Sequence, residues 1–178
     1  MIVKPDGYVR GLTGRIVARI EQSGLRVLAS RVSYREGEVL TQHYRSDAEW
    51  LAGVGQSVID DCRDRGVSPE RLFGGSDALD VGEIFRDRLL RFMASGPVFV
   101  AVLSGENAIA TTRRLIGHTI PSKASPGTIR GDYSNDSIAR AISEVRCVQN
   151  VVHASSSASE ASREIRLWFP ALPELPPR

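Results

Sequence analysis

The unbroken apolar run Val98-Phe99-Val100-Ala101-Val102-Leu103 sets the first constraint on this chain. Entered from Ser95-Gly96 and Pro97, it has the pattern of a strand buried within a sheet. With 178 residues the chain can surround such a strand with one real hydrophobic core, but it cannot form two large domains. Apolar residues at 42% and charged residues at 25% exclude wholesale disorder. No apolar run approaches the length that spans a bilayer, and Met1-Ile2-Val3-Lys4-Pro5 lacks a signal-peptide layout, so a cytoplasmic protein is expected. Cys62 and Cys147 are far apart and have no His or Cys beside them, which excludes a zinc cluster and speaks against a disulfide framework. A net charge of +2 is too small to point to nucleic acid. Of the 23 basic residues only Lys4 and Lys123 are lysines, so Lys4 is not this chain's usual way of placing a positive charge.

Around the buried run the pattern alternates. Met1 to Lys4 predicts a short strand stopped by a Pro5-Asp6-Gly7 turn. Leu12, Ile16, Val17 and Ile20 predict a helix over Gly11 to Gln22, and Leu25 to Tyr34 reads as a strand. Glu36 to Tyr44 is a short helix, Ala52 to Gly82 a helix-plus-loop excursion, and Glu83 to Ala94 a helix. After the buried strand, Asn107 to Ile116 is helical and His118 to about Ile142 irregular. Val148 to His153 reads as the last strand, and Ser157 to Phe169 as a helix opened by a Ser157–Glu160 capping box. Pro170 to Arg178 is a Pro-rich tail. Without the excursion the order fits an α+β, ferredoxin-like βαββαβ core: a four-stranded antiparallel sheet with helices on its faces. The expected organisation is a single domain over 1–169, with an insertion at about 52–82, a longer loop at about 134–147 and the tail over 170–178.

Three features could carry chemistry. His153 ends an apolar strand just before a capped helix, where free N–H groups favour an anion; it reads either as a phosphate neighbour or as a strand-end histidine held by local bonds. Glu164, eleven positions on, could fold back to hold one ring nitrogen. In Pro126 to Asp132 glycines flank Arg130, so the backbone could approach a ligand while the guanidinium forks onto phosphate; the other reading is a surface turn with an Arg–Asp pair. Arg113 to Thr119 offers an Arg at a helix end followed by a Gly-Thr loop, where most arginines are simply solvated. Together with Lys4 these amount to a nucleophile, two Arg forks and a Thr hydroxyl, which is equipment for phosphoryl transfer through a covalent histidine.

At this point the chain resembles the nucleoside diphosphate kinases. The resemblance is carried by Lys4-Pro5-Asp6-Gly7, Arg10-Gly11-Leu12, Gly14, His43-Tyr44, Ser95-Gly96-Pro97-Val98, Leu115 to Pro121, Pro126 to Asp132, Asn150 to Ser155, Glu164-Ile165 and Leu167-Trp168-Phe169. It implies that His153 is the nucleophile, that Glu164 orients its ring and that Ser155 supports Glu164. It further implies Lys4 and Tyr44 beside the transferring phosphate, with Asn150 and Lys4 at the sugar hydroxyl. Arg113 and Thr119 would hold the inner phosphates, and Arg130 the transferring group. Mg2+ would bridge phosphate oxygens through water, with no protein metal ligands. The substrates would be nucleoside tri- and diphosphates of broad base specificity, and the enzyme a homo-oligomer, hexamer or tetramer, acting on neither membrane nor nucleic acid.

The chain also departs from the family. Ser156 stands where an Asp is usual, which removes a carboxylate from near the phosphates. The base-stacking ring falls on Phe85 or, as a guanidinium plane, Arg86. These departures and the long connections from Tyr44 to Ser95 and from Tyr133 to Asn150 favour the alternative, a non-catalytic nucleotide-binding or interaction module. The intact set of Lys4, Arg113, Thr119, Arg130, Asn150, His153 and Glu164 favours the enzyme.

Overall fold

The computed structural model describes residues 1–34 and 37–172. Among them, β1 (Ile2–Val3) leads into α1 (Pro5–Val9), α2 (Thr13–Gln22) and β2 (Arg26–Tyr34). There follow α3 (Gly37–His43), α4 (Ala48–Asp64), α5 (Pro69–Phe73) and α6 (Ala78–Met93). Then come β3 (Pro97–Ser104), α7 (Ala108–Ile116), a single 3-10 turn (Pro121–Lys123), α8 (Ile129–Tyr133), α9 (Ile138–Ser143), β4 (Val152–His153) and α10 (Ala158–Trp168). The strands form one antiparallel sheet in the order β2-β3-β1-β4, which is the ferredoxin-like α+β arrangement.

The buried run is β3, and the sheet explains its composition. Strand side chains alternate between faces, and here both faces are covered. Ile2, Val98 and Val100 join Leu40, Tyr44, Met93 and Trp168 on one face. Val3 and Phe99 join Leu12, Ile16, Ile116 and Ile129 on the other. A third cluster lies between helices: Val58, Ile59 and Cys62 of α4, Val81 and Phe85 of α6, and Ile138 of α9.

Four expectations need correction. Pro5-Asp6-Gly7 is not a turn but the start of α1, since proline fits a first helical position where its missing N–H costs nothing. The excursion is mostly helix, and α6 begins at Ala78, capped by Asp77, rather than at Glu83. The region read as irregular contains α8 and α9, opened by the Thr128 and Ser137 hydroxyls. The last strand keeps only Val152 and His153, because Val151 takes a φ of +67° that no strand accommodates. Glu36 and residues 173–178 of the tail lie outside the described residues. Among the described residues no helix is long and apolar enough to cross a membrane.

Candidate active site

The first and last strands lie side by side, with Ile2 paired to His153 and Val3 to Val152. The segments that leave their ends are therefore neighbours. The Lys4 N–H donates to the Val151 carbonyl at 2.8 Å, and the Val151 N–H donates to the Asp6 carboxylate at 3.0 Å. A Cβ on Gly7 would meet the Val3 and Val151 side chains at 2.9 Å, so the approach is open only to glycine. The Val152 N–H closes a three-residue turn onto the Asn150 carbonyl at 2.7 Å. The Lys4-Pro5-Asp6-Gly7 motif thus builds the strained corner that sets Asn150 on one side and His153 on the other.

His153 Nε2 lies 3.0 and 3.2 Å from the two carboxylate oxygens of Glu164 on α10. The Ser155 hydroxyl donates to the same carboxylate at 2.7 Å. With Nε2 serving as donor to Glu164, Nδ1 carries the free lone pair, the tautomer a nucleophilic imidazole requires. Loss of solvent holds His153 well below the usual imidazole range; the chain's amino group, Lys4 and Arg130 act in the same direction. Lys4 is itself buried, and desolvation lowers it to about 8. Burial, helped by the charge of Arg113, lowers Arg130 to about 10. The Arg130 guanidinium is fixed by the carbonyls of Gly117 (2.9 Å), Val152 (2.8 Å) and Asn150 (3.3 Å). Asn150 Nδ2 donates to the Thr119 carbonyl at 2.8 Å, tying the loop after α7 to the corner. Arg113 and Thr119 themselves are exposed.

Several polar atoms here are buried without a partner among the described residues: the Tyr44 hydroxyl, Asn150 Oδ1, Asp6 Oδ1 and His43 Nε2. Tyr44 is held above its usual range, mainly by burial. Unpaired buried groups are costly: the Tyr44 hydroxyl can donate to an anionic ligand, whereas Asn150 Oδ1 and Asp6 Oδ1, which only accept, call for a donor such as a ligand hydroxyl.

Of the sequence-derived site residues, Lys4, Tyr44, Arg113, Thr119, Arg130, Asn150, His153, Ser155 and Glu164 come together. Phe85 is not brought to this cleft as a stacking group, while the Arg86 side chain is engaged beside Tyr44. The Phe85 ring is buried among α4, α6 and α9, edge-on to Phe73. The Arg86 side chain donates to the carbonyls of Tyr44 and Arg45 at 3.0 Å and of Thr41 at 3.2 Å. Residues 48–64 supply the helix against which Phe85 packs, a change of surroundings that counting along the chain does not register.

Two residues beside the site were given no role there by the sequence reading. Glu160, read there only as part of a cap, turns its carboxylate to the Ser156 N–H and hydroxyl, while the Ser157 hydroxyl accepts from the Glu160 N–H. It thereby returns an acidic group to the position where Ser156 lacks one. His43 has its ring centroid 4.7 Å from that of His153. His43, His153 and Glu164 offer ligand atoms within 4.8 Å of one another, but two imidazoles and one carboxylate are not the all-oxygen set that Mg2+ selects. The residues present fit a Mg2+ ion that arrives on the phosphates.

A family model described as nucleoside diphosphate kinase matches residues 1–50 and 78–173, leaving 51–77 unmatched. A nucleoside diphosphate kinase of Pyrobaculum aerophilum is 44% identical over 169 residues, which cover 95% of this chain and 92% of the relative. The crystal structure of an NDP kinase from that organism superposes with a TM-score of 0.91 at 43% identity, covering 94% of this chain and 92% of the other. A transition-state mimic of the Borrelia burgdorferi enzyme, with vanadate and ADP bound, superposes with a TM-score of 0.71 at 34% identity, covering 94% and 83%.

Proposed function

The chain belongs to the nucleoside diphosphate kinase family, and from that premise we propose that its phosphotransfer runs through a phosphohistidine on His153. The observation that carries this reading is the His153–Glu164 pair, which leaves Nδ1 free beside Lys4 and Arg130. The Nδ1 lone pair attacks the γ-phosphorus of a nucleoside triphosphate. The bond from that phosphorus to the bridging oxygen breaks, and the diphosphate leaves with its electron pair. In the second half a diphosphate oxygen attacks the same phosphorus, the N–P bond breaks, and the imidazole returns to its starting tautomer. One site serves both halves, so the kinetics are ping-pong.

The protein's work is positioning and neutralisation, as a loose phosphoryl-transfer transition state requires. Glu164 stabilises the positive charge on the ring as the N–P bond forms. Lys4 and Arg130 meet the charge on the transferring group, and Arg113 with Thr119 holds the inner phosphates. Asn150 Oδ1 and the Tyr44 hydroxyl, unpaired in the free protein, take the sugar hydroxyl and a phosphate oxygen. Mg2+ would supply further neutralisation of the phosphates when bound, and Glu160 is the carboxylate that would support it through water. Specificity for the base is broad, because these contacts go to phosphate and sugar.

We read the protein as a cytoplasmic homo-oligomer, a hexamer or tetramer. β2 is an edge strand that exposes Leu28 and Val32, a ready surface for a second copy.

The experiment is incubation with Mg2+ and γ-labelled ATP, followed by unlabelled GDP. Acid-labile, base-stable label that passes to GDP, and that is absent from His153→Ala, is the expected result. Nucleotide binding without label would instead assign a binding module.

A further inference from the structure

We propose that His43 is a positioning residue for this reaction: held as a single neutral tautomer by Trp168, it fixes the plane of the His153 ring and leaves the Glu164 carboxylate to His153. The role rests on His153 being the nucleophile.

The argument begins with Trp168, whose buried indole N–H lies 3.2 Å from His43 Nδ1. An indole N–H can only donate, so Nδ1 must accept, and the one proton of a neutral His43 ring sits on Nε2. His43 Nδ1 is also 3.5 Å from Glu164 Oε1, the oxygen that takes His153 Nε2 at 3.0 Å. A proton on Nδ1 would make two imidazoles compete for one carboxylate. A lone pair there removes the competition, and the carboxylate turns to His153.

The remaining contacts concern the ring plane. His43 and His153 meet edge to face, with an interplanar angle of 80° and centroids 4.7 Å apart. His43 cannot yield, because Tyr44 and Trp168 flank it with centroids at 4.6 and 5.9 Å. Its carbonyl accepts from Arg163 at 3.3 Å, and the Gln42 carbonyl accepts from the same guanidinium at 2.8 Å, so α10 clamps the end of α3. A nucleophile ring braced at its edge and held at Nε2 has one orientation for Nδ1.

The charged and titratable groups facing His43 are His153 from β4, Glu164 and Arg163 from α10, and the chain's amino group. Desolvation first, and then His153, depress His43 far below the usual range, against the pull of Glu164; the ring stays neutral through the working pH range.

A merely buried histidine would affect stability alone, so the test reads tautomer and chemistry. Imidazole nitrogen NMR of the wild-type protein is expected to show His43 protonated at Nε2 only. Trp168→Phe keeps a ring but deletes the donor; the rate of phosphohistidine formation should fall about tenfold with nucleotide affinity unchanged. His43→Ala should fall about a hundredfold, with His43→Gln, which keeps an acceptor for the indole, recovering much of that loss. A wild-type spectrum with the proton on Nδ1, or a Trp168→Phe protein that phosphorylates at the wild-type rate, would overturn the role. A wild type that takes no label would overturn the nucleophile itself, a failure separate from the tautomer spectrum.

Discussion

Among the described residues no carboxylate is bonded to Lys4, which lies in a buried corner, so its charge is held at a cost until an anion arrives. Two outcomes follow. In the free protein, kcat/KM should fall as pH rises through about 8, where Lys4 loses its proton, and the limb should move to higher pH in kcat once phosphate stabilises the charge. Stability responds with the opposite sign. The folded state holds the Lys4 proton less tightly than the unfolded chain, so this group makes folding more favourable as pH rises from about 8 toward the ordinary lysine range. Denaturant melts across that range, compared with Lys4→Met, isolate the effect. Asn150→Ala is expected to raise KM and lower kcat by about tenfold or more, measured in the coupled ATP–GDP assay, since Oδ1 has no partner among the described residues and the proposed sugar contact would supply one. At this scale the His153–Glu164 pair could be read from the sequence, because a His before a capped helix and a Glu eleven residues on leave little choice of partner. His43 could not, since a histidine in a short helix carries no mark of what its ring will touch.

Helices α4 and α6 cross where neither has a side chain: a Cβ at Gly55 would run into the Ala78 carbonyl, and one at Gly82 into that of Leu51. Gly55→Ala should therefore cost about 1–3 kcal/mol in a urea melt. Gly53→Ala, two residues away on an open face of the same helix, should gain up to about 1 kcal/mol from helix propensity. Equal effects at the two positions would refute the close crossing. β3 was legible because it is apolar on both faces, and α2, α7 and α10 because each keeps a helical period. The stretch from Val148 to Val151 misled because its apolar residues serve a buried corner tied to Asp6, where burial is strand-like but the backbone is not. Phe85 misled for a related reason: register along α6 was kept, but an added helix covered the ring.

Across the whole molecule, β2 leaves one long edge of the sheet open among the described residues, with Val32 54% exposed. Val32→Lys should reduce the mass seen by light scattering to that of a smaller assembly, while the His153 label still forms. A wild type that is monomeric at all concentrations would refute the oligomer. The pairing of β1 with β4 has a consequence in time. Lys4 and Asp6 leave the ribosome well before His153 and Glu164, with almost the entire described chain between them. Because β1 sits inside the sheet, between β3 and β4, it waits with one flank uncovered until β4 follows. A chain interrupted before β4 cannot bring the lysine and the histidine together.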